Sequence, residues 1–127
     1  LLTLLFPSLA LGETLDDLVV RDGIHYKKSS DVPFTGKVTG KSQGSFKDGK
    51  KDGPWITDHD NGQLSSKGTY KDRKMDGPWI TYWVNGQLLS KGTIKDGKWD
   101  GPWVGFNEDG TVWSEYTGTY KDGVKVE

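Results

Sequence analysis

The sequence predicts an all-β chain, a tandem array of β-hairpins forming an elongated antiparallel meander sheet. Three observations carry this reading. A unit of 24 residues recurs, starting at Gly44, Gly68 and Gly92, and a further start follows at Gly118, 26 residues on. Each unit holds a two-residue turn signal between strand-forming runs: Asn61-Gly62, Asn85-Gly86 and Asp109-Gly110. Glycine supplies 18 of 127 residues, twice the usual ~7%. With 6 Trp, 5 Tyr and 4 Phe beside it, the chain is turn-rich but not depleted in aromatics as disordered chains are.

The length fits one small domain. The absence of cysteine removes disulfides, thiol nucleophiles, iron–sulfur clusters and thiolate zinc sites. Seventeen basic and 18 acidic residues leave a net charge of −1, which argues against an electrostatic nucleic-acid binder.

Taken in order, residues 1–12 open with LLTLLFPSLAL, uncharged and too short to cross a bilayer, which needs ~20 residues. An apolar run of this length followed by small residues reads as a truncated signal peptide, cut near Gly12 or Ala10. Residues 13–43 form a lead-in with a degenerate repeat. The repeats proper occupy 44–67, 68–91 and 92–117, with a partial unit at 118–127, and the first two agree at 16 of 24 positions. Such a period marks a stacked array in which no unit buries its own face alone. Within each unit the second linker, Lys-Asp-Gly-Lys-x-Asp-Gly-Pro in unit one, reads as a longer polar loop. Pro54, Pro78 and Pro102 follow at the strand start, where a missing N–H does least harm. The expected result is an up-and-down sheet of roughly eight strands.

Register follows from the turn. With Asn61-Gly62 central, Asp60 faces Gln63, His59 faces Leu64, Thr57 faces Ser66 and Trp55 faces Gly68. In unit two, Trp83 faces Leu88 and Trp79 faces Gly92. A glycine opposite each tryptophan lets the indole lie across bare backbone. One face then carries Trp55, Trp79 and Trp103 as a spine over Gly68 and Gly92, joined by Leu64, Leu88, Val112, Tyr70, Ile94 and Tyr120. The two-residue insertion in unit three is even and keeps the alternation. A row of ligand contacts is the alternative role for the tryptophans.

The repeating string GTYKDxKxDGPWxxxxxNGQLxSK is similar to the MORN repeat variant, a short β-hairpin unit strung in tandem. Asp22-Gly23-Ile24-His25-Tyr26 and Pro33-Phe34-Thr35-Gly36-Lys37-Val38 resemble the degenerate opening unit of bacterial proteins labelled the YwqK family of toxin–antitoxin antitoxins. The resemblance runs over roughly residues 18–126. It implies hairpin repeats acting as scaffolds or as lipid- or protein-binding modules, and it supplies no catalytic residue.

The residues themselves offer little chemistry. Gly36-Lys-Val-Thr-Gly40-Lys41-Ser42 is one residue short of a phosphate-binding loop and lacks the helix that follows one. His25 and His59 sit in no ligand pair. Asp58-His-Asp60-Asn61-Gly62 lacks calcium-loop spacing and reads as a turn. No serine lies on a nucleophile elbow. The expectation is therefore no enzyme, no cofactor and no metal.

Positions that vary between units are free to set recognition. Asp58 becomes Tyr82 and then Phe106; Ser65 becomes Leu89 and then Trp113, expected opposite those residues across the hairpin. Units two and three thus gather Tyr82, Leu89, Phe106 and Trp113 on a second face. This patch is a partner-binding or self-association surface, or else it closes the end of the sheet. The expected protein is exported and non-enzymatic, binding another protein or scaffolding at the cell envelope. The alternatives are an antitoxin-like inhibitor of a protein toxin, and a module for carbohydrate or lipid headgroups.

Overall fold

Most of the chain is paired strand, and the turns between strands decide its shape. A computed structural model describes residues 13–127; the leader expected over residues 1–12 lies outside them. The strands are β1 (Glu13–Thr14), β2 (Leu18–Arg21), β3 (Ile24–Lys27), β4 (Gly36–Thr39), β5 (Ser42–Lys47), β6 (Lys50–Asp58) and β7 (Leu64–Lys71). They continue as β8 (Lys74–Tyr82), β9 (Leu88–Lys95), β10 (Lys98–Trp99), β11 (Gly101–Gly105), β12 (Gly118–Lys121) and β13 (Val124–Lys125). Eleven strands form one sheet in the order β13-β12-β11-β9-β8-β7-β6-β5-β4-β1, with β10 joined to β9, while β2 and β3 form a separate hairpin. The sheet is the expected meander with one exception. Its first edge is parallel, Glu13 pairing with Val38, because the intervening chain carries the β2–β3 hairpin and returns to β4 as a crossover.

The two kinds of turn are exchanged relative to the sequence reading. The Lys-Asp-Gly-Lys segments, expected as loose loops, are tight two-residue turns: Asp48 and Gly49 have φ of 51° and 81°, with Lys47 paired to Lys50. The same turn recurs at Asp72-Arg73, Asp96-Gly97 and Asp122-Gly123, every central residue at positive φ as a type I′ turn requires. Asn61-Gly62, expected as the type I′ turn, instead sits in a wider loop closed by the His59 N–H to the Gln63 carbonyl at 2.7 Å. The cause lies in the asparagine side chain. Asn61 Oδ1 accepts from the Gln63 N–H at 2.9 Å, an Asx turn that leaves only Gly62 left-handed, at φ 87°. Its amide then reaches the next unit, donating to the Val84 carbonyl at 3.0 Å, as Asn85 does to Glu108 at 3.1 Å. The hairpin tips are thereby zipped together.

A wider loop shifts the nearby pairing by one residue. Asp58 faces Leu64 and Tyr82 faces Leu88; the expected partner of Asp60 was Gln63, of His59 Leu64 and of Trp83 Leu88. Ser65 and Leu89 are extra residues on their strands that restore the register, so that Thr57 faces Ser66, Trp55 faces Gly68 and Trp79 faces Gly92 as expected.

The tryptophans lean the other way from expectation. Each Trp–Gly pair has the predicted register, yet the indoles cover the glycine of the preceding strand. A Cβ on Gly44 would enter the ring of Trp55, one on Gly68 that of Trp79, and one on Gly92 that of Trp103. The Asp-Gly-Pro segment explains the direction. Between Gln43–Ile56 and Ser45–Asp52 the pairing slips, and the Trp55 indole N–H donates to the Ser45 carbonyl at 3.1 Å; Trp103 does the same to Thr93 at 2.9 Å.

These rings make the core. Phe46, Trp55, Tyr70 and Trp79 follow one another at centroid distances of 5.3, 6.1 and 6.0 Å. Leu18, Phe34 and Val38 bury the first end, and Ile94, Trp103 and Tyr120 the second. Leu64 and Leu88, expected on the spine, are only half-buried and outside both clusters, because the wide loop leaves them as the first residues of β7 and β9; Val112 is 55% exposed and lies outside the strands, bridged only to Phe106. Unit three departs further. Its two-residue insertion keeps Trp103 opposite Gly118, but residues 113–117 leave the strand as a turn, with the Thr117 N–H bonded to the Trp113 carbonyl at 3.1 Å.

The lead-in hairpin closes the first end through His25, whose N–H donates to the Gly49 carbonyl at 2.8 Å and whose ring lies 4.6 Å from Phe46. Burial holds this imidazole below 6.5, the Gly49 hydrogen bond opposes that, and the Lys51 charge adds to it. A folded-state value below the unfolded one means the unfolded chain binds the proton more readily. The contribution of His25 is therefore full above 6.5 and is lost as pH falls through the folded value. Tm should fall on acidification through this window, and His25→Gln should flatten that slope, measured by thermal melts across pH.

Candidate functional site

An open groove of about 490 Å³ lies on the spine side near the hairpin tips. Tyr82, Leu89 and Trp113 line it, together with Trp99, Tyr116, His59, Ser65, Thr81, Ser90 and Gly105. Three of the four residues expected to form a patch therefore meet. Phe106 does not line the groove; it pairs with Val112, and its carbonyl accepts the Trp83 indole N–H at 2.9 Å. The expectation of a separate second face is corrected as well. Ser90 and Thr81 share the alternation of Gly92 and Trp79, and Leu89 is the extra residue beside Ser90, so the bulge turns Leu89 onto the spine side.

Hydrogen bonds between side chains and backbone set each wall. The turn at residues 113–117 is pinned by the Gly105 N–H to Thr117 Oγ1 at 3.0 Å, and the Tyr120 hydroxyl donates to the Tyr116 carbonyl at 2.9 Å. Trp113 then stands against Tyr116 at 4.5 Å, edge to face, and stacks near Trp83 at 6.2 Å. Trp99 lies flat on Trp103 at 3.9 Å, so the groove continues directly from the spine. His59 Nε2 donates to the Tyr82 carbonyl at 2.9 Å, tying unit one to unit two.

The chemistry of the groove is apolar. Its buried polar residue, Ser90, shares a hydrogen bond with Thr81 at 2.5 Å, and no buried side-chain polar atom among the described residues lacks a partner. No carboxylate, lysine or arginine lines it. It offers aromatic surface to an occupant and asks for few hydrogen bonds in return. Among the described residues no three His, Asp or Glu side chains converge as metal ligands, and no helix is long and apolar enough to cross a membrane.

Trp99 and Tyr116 escaped the sequence reading. Trp99 occupies a slot that holds Lys51 in unit one and Met75 in unit two, so the same between-unit variation that singled out Leu89 and Trp113 marks it too. Tyr116 lies beside the insertion, where no repeat position exists to compare.

Residues 51–72 and 75–96 match the family model described as MORN repeat variant. The two matches are adjacent hairpin repeats, β6–β7 and β8–β9, displaced by the 24-residue period. Units of this family are generally protein- or lipid-binding modules. No curated protein matches the chain.

Proposed function

We propose that this chain, which carries tandem MORN repeat variant units, is a non-enzymatic binding or scaffolding module that holds a partner protein in the aromatic groove. The observation that carries the reading is the groove itself: aromatic walls of Tyr82, Trp99, Trp113 and Tyr116, with the polar atoms beneath already satisfied. Desolvated aromatics of this kind act as hot spots when a partner covers them. The apolar composition of residues 1–11 supports a place outside the cytoplasm, at the cell envelope. The test is capture of envelope proteins by wild type, Tyr82→Ala and Trp113→Ala, with folding monitored alongside. A specific partner should be retained by wild type and lost by both folded variants. Equal retention by all three removes the groove as the binding site.

A further inference from the structure

A second cleft lies at the opposite edge of the sheet, where the two-residue turns gather. It has a volume of about 470 Å³ and is bounded by the β2–β3 hairpin, strand β6 and the turn between β7 and β8. Its nitrogen groups come from His25, Lys51, Arg73 and Lys74, its apolar floor from Tyr70 and Met75, and no carboxylate lines it.

Two of these cations stand at positions that differ between the repeats. Lys51 stands in the slot that holds Met75 and Trp99 in the later units. It is half-buried, its Nζ 4.7 Å from the Trp55 ring centroid and 4.9 Å from that of Tyr70. Arg73 holds the second position of a type I′ turn where the equivalent turns have Gly49, Gly97 and Gly123, and it does so at φ 73°. Aspartate tolerates that region; a long side chain is strained there. Its guanidinium lies at the cleft wall, with Nη1 donating to the Gly23 carbonyl at 3.4 Å. Strained backbone of this kind collects at ligand sites.

The cations also lack counterions. The salt bridges among the described residues are Arg21–Asp31, Lys27–Glu13 and Lys41–Asp60, none of them in the cleft. Asp48, Asp52 and Asp72 line the adjoining notch that shares Lys51, and Asp72, Asp76 and Asp96 one that shares Lys74, yet none forms a salt bridge with either lysine. Burial lowers the Lys51 pKa, and His25 is lowered by burial with Lys51 contributing. An anion between them relieves both effects.

We propose that this cleft binds a phosphate monoester, its oxyanion among Lys51, Arg73, Lys74 and His25 and its organic body on Tyr70 and Met75. Lys51 and Arg73 on the wall of a cleft that no carboxylate lines suit an anion, and an arginine fork suits phosphate oxygens. The site is distinct from the aromatic groove and does not depend on it.

The test is an NMR titration of the full chain with inorganic phosphate, then glucose 6-phosphate, then vesicles containing phosphatidic acid. His25 and Tyr70 resonances should shift and saturate with phosphate. Lys51→Met installs the residue of unit two and Arg73→Gly that of the other turns, so both variants should fold; each should weaken phosphate binding about tenfold, roughly one charge-assisted pair. Tighter binding of glucose 6-phosphate than of phosphate identifies a soluble ester as the source, and vesicle binding sensitive to both substitutions identifies a lipid headgroup. Unmoved His25 and Tyr70 resonances, or shifts that persist unchanged in both folded variants, overturn the proposal.

Discussion

A chain lacking residues 68–91 should fold, and a chain lacking residues 68–90 should not. The first deletion removes one 24-residue unit and joins Lys67 to Gly92, so β7 runs on as β9. Trp55 then faces Gly92 as it now faces Gly68, and the Trp103 ring still covers Gly92. The chain loses one nearest-neighbour interface and keeps its alternation. The second deletion leaves an extra lysine at the junction and turns every later side chain to the wrong face. Ile94, Trp103 and Tyr120, now buried at 3%, 3% and 8% exposure, would point to solvent. Far-UV circular dichroism and urea denaturation should show a cooperative, less stable all-β chain in the first case and no cooperative transition in the second. The shorter array also loses Tyr82 and Leu89, so it should no longer capture a groove partner.

Trp103→Ala should be the most damaging single substitution in the second half of the sheet. The indole stacks on Trp99 at an interplanar angle of 6°, covers Gly92, and donates to the Thr93 carbonyl at 2.9 Å. Truncation removes the ring from a packed cluster with Ile94 and Tyr120 and leaves that carbonyl with only the Asp100 N–H, at 3.0 Å. A loss of about 3–5 kcal/mol is expected for a buried tryptophan. Trp79, only half-buried, should cost less, and the space it leaves should lie over Gly68 rather than Gly92.

The period, the strand alternation and the Trp–Gly register were readable because each is repeated, and a repeat unit must stack on its neighbour in one way. Details that depend on a side chain choosing between two local partners were not. Asn61 suits a type I′ turn by itself, but its amide satisfies more groups by accepting from Gln63 and donating to Val84. The tilt of the indoles was hidden by symmetry, since Gly68 has a tryptophan opposite it on either side. Only the slipped pairing before Trp55 distinguishes the two directions. The groove was half legible for the same reason. Variation between units marked Tyr82, Leu89 and Trp113, whereas the bulge that turns Leu89 to the spine side arises from the loop geometry, and the turn that presents Trp113 and Tyr116 lies beside an insertion without a repeat counterpart.

The proposed function divides the labour on one face, with the Trp ladder holding the sheet together and the groove at its end left free to bind. Urea denaturation of Trp103→Ala beside Trp113→Ala tests it most directly, because both remove an indole from neighbouring positions. Trp103→Ala should lose about 3–5 kcal/mol, while Trp113→Ala, whose ring rests on Tyr116 and Trp83 at the groove wall, should lose about 1 kcal/mol. A Trp113→Ala chain that unfolds while Trp103→Ala keeps its midpoint would contradict it and make the Trp ladder the binding surface.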